Sequence, residues 1–112
     1  MIEATLNDSH RQLRSQVRDF VKSVPRQLIL DLDAEKVTYP KEYLQEAARR
    51  QLLGLRFPAQ WGGRGLDWQH EIVALEEIGA LPMSLACLYS LASICGQAFH
   101  IFGTEAQKEK YL

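Results

Sequence analysis

For twenty-two residues, from Leu81 to Phe102, this chain carries no Asp, Glu, Lys or Arg, although 24% of its 112 residues are charged. Other absences narrow the function classes. There are 13 basic and 14 acidic residues, a formal charge of −1, so no excess of one sign marks a nucleic-acid or anionic-membrane surface. The only two cysteines, Cys87 and Cys95, lie eight residues apart. On a helix that is ~12 Å, too far for a disulfide, and both read as small buried hydrophobes in a reducing compartment. The three histidines, His10, His70 and His100, have no metal-ligand spacing, and no metal is expected. No strand pattern, internal repeat or low-complexity segment stands out. The first thirty residues are charged throughout, so no N-terminal signal is expected and the cytoplasm is the expected location.

The charge-free run LPMSLACLYSLASICGQAFHIF is predicted to be a central helix, ~33 Å long and buried on every face. Pro82 suits a first helical position and Gly103 a left-handed position just past the end. Length alone would allow a membrane span. Ser84, Ser90, Ser93, Gln97 and His100 interrupt the run, and no Lys or Arg cluster sets an orientation, so a buried helix is expected and no span. A helix apolar all round belongs inside a large protein, and this chain is small. Part of its intended surroundings is therefore expected to lie elsewhere.

The rest is read by helical periodicity. Asn7, Asp8 and Ser9 offer caps to an amphipathic helix from about Ser9 to Val24, carrying Leu13, Val17, Phe20 and Val21. Pro25 breaks it, and Leu28 to Leu32 continue as a short helix or kinked extension. Pro40 restarts the chain, and Tyr43, Leu44, Ala47, Ala48 and Leu52 mark the next helix, with Gly54 closing it. Between Gly54 and Gly65, four glycines and Pro58 make an irregular loop. Asp67 caps a helix from Trp68 to about Gly79. Thr104 and Gln107 have capping-box spacing and open a last helix. One domain is expected over residues 1–112, all-α, a bundle of about five helices around 81–102.

Taken alone, these residues show no active site. The glycines of Gly62-Gly63-Arg64-Gly65 lack the preceding strand and the following Gly-Lys-Ser/Thr of a phosphate loop, so a structural turn is expected. Arg64 could still reach an anion. Glu76 and Glu77 point about 100° apart and cannot serve one site; one is expected to be buried against a loop arginine. The serines of the long run are expected to bond back to their own helix.

The segment from Gly54 is similar to the N-terminal helical domain of the acyl-CoA dehydrogenase family. That family's pattern of Gly-Leu, a proline, Gly-Gly-x-Gly and a Glu-Glu pair matches Gly54-Leu55, Pro58, Gly62-Gly63, Gly65 and Glu76-Glu77. Its closing Gly-Thr-x-x-Gln-Lys-x-x-Tyr-Leu matches Gly103-Thr104, Gln107-Lys108 and Tyr111-Leu112. The resemblance covers essentially the whole chain. It implies a three-part flavoenzyme whose middle β domain and C-terminal helical domain are absent from these residues. In the family a carboxylate from the C-terminal domain removes the α-proton of an acyl-CoA thioester, while hydride passes to FAD. The resemblance therefore implies acyl-CoA as substrate, FAD in the complete enzyme with little or no binding by this chain alone, and no catalytic residue here. It also implies contact with the remaining domains or a partner chain, and a homo-oligomer. Aligned back from Gly103, Ala86, Ser90 and Ile94 correspond to the floor of the family's acyl pocket, and their spacing of four puts them on one helix face. Two other readings fit the same resemblance: a free-standing helical interaction module or half of a split flavoenzyme, and a domain of a related acyl-CoA oxidase or flavin monooxygenase.

Overall fold

A computed structural model describes residues 3–112. Among them are six α-helices and no strand: α1 (Asp8–Ser23), α2 (Arg26–Asp33), α3 (Lys41–Arg49), α4 (Trp68–Ile78), α5 (Met83–Phe102) and α6 (Glu105–Tyr111). Two short 3₁₀ turns, Glu3–Thr5 and Ala59–Trp61, complete the order. The all-α bundle is thus as the periodicity predicts.

Each start has a local cause. The Asn7 side chain accepts from the His10 N–H at 2.9 Å while His10 Nδ1 accepts the Asn7 N–H at 3.2 Å, a reciprocal cap for α1 in which histidine takes the place of the usual Glu or Gln. Asp67 accepts from the His70 N–H at 3.0 Å and caps α4. The Thr104–Gln107 capping box forms and opens α6. Pro82 departs from its predicted place: it is the N-cap of α5, not its first helical residue. Gly103 is extended, at φ −73°, rather than left-handed. Thr104 is extended too, so the chain passes straight from the end of α5 into the cap of α6.

Helices α1 and α4 lie against one another, and the core forms where they meet α3 and one face of α5. It consists of Leu13, Val17, Phe20, Tyr43, Ala47, Leu52, Leu55, Ala74, Ile78, Leu81, Leu85 and Tyr89. Two buried tyrosines fasten α5 to this core. Tyr43 donates to the Leu85 carbonyl at 3.0 Å, and Tyr89 donates to the Leu52 carbonyl at 2.6 Å. The 54–65 loop closes on itself at Gly63 and meets α5 at Gly96. A Cβ on Gly63 would sit 2.1 Å from the Phe57 carbonyl oxygen, and one on Gly96 would sit 2.4 Å from the Phe57 ring.

Burial pushes the Tyr43 hydroxyl up to about 12, and it pushes Tyr89 higher still. An unfolded tyrosine ionises near pH 10. Both groups therefore contribute stability that is fully present below about pH 10 and is lost as the pH rises toward their folded values. Urea midpoints measured from pH 8 to 11 are expected to fall above pH 10, and to fall less in Tyr89→Phe. A flat profile in the unsubstituted chain would contradict the burial.

The largest departure from the sequence reading is α5. It is not buried on every face; only Leu85, Tyr89 and Gly96 are buried along its length. Met83, Cys87, Leu91, Ile94, Ala98 and Ile101 form an outward stripe at helical spacing, and every one is exposed. Met83 is 80% exposed, Ile94 64% and Phe102 84%. Both cysteines are exposed free thiols, not buried hydrophobes. The physical reason is coverage. The molecule measures 40 × 39 × 19 Å, a flat bundle with neighbours on only one side of α5. By length and composition α5 could cross a membrane.

Candidate functional site

One arginine ties the inward face of α5 to the rest of the bundle. Arg56 leaves the loop after Gly54 and turns inward. Its Nε donates to Glu71 Oε2 at 2.6 Å, its Nη1 to Gln97 Oε1 at 2.8 Å and its Nη2 to Ser93 Oγ at 3.0 Å. The guanidinium carbon lies 3.5 Å from the centroid of the Trp68 ring, which covers it from outside. Both charged side chains are almost completely buried, 8% and 6% exposed. This cluster joins the loop, α4 and α5, and it accounts for two of the polar groups that interrupt the apolar run.

The carboxylates therefore sort differently from the sequence expectation. The loop arginine takes Glu71, not Glu76 or Glu77. Glu77 is gripped by Arg18 of α1, at 3.1 and 2.7 Å, and Glu76 is exposed. Glu71 lies at 71, 74 and 78 with Ala74 and Ile78, on the buried stripe of α4. That charge on an apolar stripe was the available signal for a buried partner.

A groove of about 410 Å³ runs between the end of α4 and the first half of α5. Leu75, Ile78, Leu81, Met83, Ala86 and Ser90 are among its lining residues. Two of the three predicted acyl-contact positions, Ala86 and Ser90, thus share one groove. Ile94 does not line it; one turn further on, it sits on the exposed stripe. Ser90 donates to the Cys87 carbonyl at 2.8 Å, the back-bonding expected of a helical serine. Ser93 departs from that expectation by receiving Arg56.

The glycine-rich turn has no free amides to cradle a phosphate. Gly62 N–H bonds Ala59 O, Gly63 N–H bonds Pro58 O, Arg64 N–H bonds Gly54 O and Gly65 N–H bonds Phe57 O, all between 2.8 and 3.2 Å. It is a structural turn, as its sequence predicts. The Arg64 side chain stays with this chain, 3.4 Å from both Gln16 Oε1 and the Gln51 carbonyl.

Sequence separation of the histidines proved a poor guide. His10 and His70 pack edge to face with centroids 4.3 Å apart, and donor atoms of His10, Asp67 and His70 fall within 4.8 Å of one another.

The chain is 31% identical over 94% of its length to a 3-(aryl)acrylate reductase of Clostridium sporogenes. It is 27% identical over 99% to a short-chain-specific acyl-CoA dehydrogenase of Clostridium acetobutylicum, and 31% identical over 96% to the mitochondrial isovaleryl-CoA dehydrogenase of Pongo abelii. It spans only 28%, 29% and 26% of those three proteins. No solved structure matches it. Residues 7–112 match the family model described as "Acyl-CoA dehydrogenase, N-terminal domain", and the chain belongs to that family.

Proposed function

We propose that this chain forms one wall of the acyl pocket in a flavin-dependent acyl-CoA dehydrogenase and docks the other domains of that enzyme through α5. The observation that carries this reading is the uncovered outward stripe of α5 lying beside the groove of Ala86 and Ser90. A stripe running from Met83 to Ile101 is ~27 Å long. Apolar patches of that extent on a soluble protein mark contact surfaces. The small Ala86 and Ser90 side chains leave the groove open to an acyl chain, while Arg56 holds α5 at a set distance from α4.

The chemistry would come from elsewhere. The turn at Gly62–Gly65 offers FAD no amides, and no carboxylate lines the groove. In this reading the residues here bind and orient the acyl group and exclude water from it; they do not move the proton or the hydride. The two free thiols suit a reducing compartment, and we place the protein in the cytoplasm.

The same stripe supports a second reading, a free-standing interaction module or half of a split flavoenzyme. Two measurements separate them. The 112-residue chain titrated with FAD is expected to show little or no binding. The complete reading frame that encodes it is expected to bind FAD stoichiometrically and oxidise an acyl-CoA thioester. A complete reading frame without flavin would overturn the first reading in favour of the second.

A further inference from the structure

The first turns of α1 and α4 place three side chains in line. Ser9 Oγ is 2.8 Å from His70 Nε2, and His70 Nδ1 is 2.6 Å from Asp67 Oδ1. Asp67 also accepts the backbone N–H of His70, and these two bonds hold its carboxyl below the usual range. An ionised carboxylate can only accept, so His70 Nδ1 carries the proton. Nε2 of the neutral ring is then the acceptor, and the Ser9 hydroxyl donates to it. His10, 3% exposed, packs against the His70 ring and restricts its rotation.

We propose that Ser9, His70 and Asp67 form a nucleophilic triad that cleaves small activated acyl esters. Ser9 is exposed to solvent and to substrate, while His70 is buried behind it. Ser9 is also the second residue of α1, where the first backbone N–H groups have no intrahelical acceptor. The His10 N–H of that turn is taken by Asn7, so it is the positive end of the helix that favours a developing oxyanion beside the nucleophile. A metal cation here would have to displace the His70 Nδ1 proton together with the Ser9 bond.

The step balances without a cofactor. Ser9 Oγ bonds the carbonyl carbon and its proton passes to His70 Nε2. The imidazolium, held by Asp67, gives that proton to the departing alkoxide as the ester C–O bond breaks. Water then attacks acyl-Ser9, losing its proton to Nε2, and the acid leaves as the hydroxyl of Ser9 is restored. Asp67 acts through His70 and is a positioning residue. Ser9 is exposed, so substrate binding is weak and the rate rises linearly with substrate concentration.

The test is hydrolysis of 4-nitrophenyl acetate by the full chain, together with labelling by a fluorophosphonate and mass analysis of the labelled peptide. The label is expected on Ser9. Ser9→Ala, which removes no capping bond, and His70→Gln are each expected to lower the rate at least about tenfold. Asp67→Asn keeps a good cap. It is expected to preserve the melting temperature while abolishing the downfield Nδ1 proton resonance of His70 and lowering the labelling rate. Should His70→Gln fail to fold, Ser9→Ala decides. A Ser9→Ala rate equal to the unsubstituted rate, or a label absent from Ser9, overturns the proposal.

Discussion

Replacing Arg56 with methionine is expected to destabilise the chain by about 3–5 kcal/mol, the cost of leaving a buried charge without its partner. Three features set this size. Glu71 is 5% exposed, so water cannot take the place of the guanidinium. Arg56 donates to three side chains at once, so Ser93 and Gln97 lose a donor in the same event. The loss also uncovers the inner face of the Trp68 ring. Folded proteins of this size keep only about 5–15 kcal/mol in all, so much of the chain should be unfolded at modest urea. The double substitution Arg56→Met with Glu71→Leu is expected to recover most of the loss, because it removes both charges and fills the site with apolar volume. Urea melts of the two single variants and the pair measure this directly. A loss under 1 kcal/mol in Arg56→Met would mean that the pair is solvated.

Phe20→Ala is the second large effect, expected at about 3–5 kcal/mol. Phe20 is 1% exposed and lies at the contact of α1 with α3, its ring centroid 5.4 Å from that of Tyr43. Truncation leaves a cavity that the tyrosine cannot collapse into, since its hydroxyl is committed to the Leu85 carbonyl. The informative comparison is Ile94→Ala. The two side chains are both large and apolar, but Ile94 is 64% exposed and is expected to change stability by no more than about 0.5 kcal/mol. If Ile94→Ala were as costly as Phe20→Ala, α5 would have to be covered in the chain alone, contrary to its geometry here.

That contrast also shows what could be read from the residues. Helices α1 and α3 declare their inner faces because charged residues occupy the other side: Leu13, Val17 and Phe20 alternate with Arg14, Arg18 and Asp19, and burial follows, whereas α4 buries Glu71 and exposes Ile72. The cap at Thr104 and the turn at Gly62–Gly65 are short-range features, decided by neighbours in sequence, and both form as their sequences predict. Helix α5 has no charged side, so its length was legible but its orientation was not. Nothing in the run separates buried Leu85 from exposed Leu91 except the neighbours each meets. The serines are ambiguous for the same reason: Ser90 bonds its own helix and Ser93 an arginine thirty-seven positions earlier. Long-range pairs such as Arg56 with Glu71, or Ser9 with His70 at a separation of 61, depend on how helices pack, which periodicity does not encode. Of the three acyl-contact positions taken from the family resemblance, the one furthest along the helix, Ile94, falls outside the groove.

The central claim is that the groove between α4 and α5 receives the acyl chain of an acyl-CoA. It is tested most directly by flavin reduction in the complete enzyme across a series of straight-chain acyl-CoA thioesters, with Ser90→Leu beside the unsubstituted protein. Filling the groove at Ser90 is predicted to shift the preference toward shorter acyl chains, each methylene excluded counting for about 1–3 kcal/mol of discrimination. An unchanged chain-length profile in a folded, flavin-replete Ser90→Leu enzyme would contradict the account and place the acyl chain elsewhere.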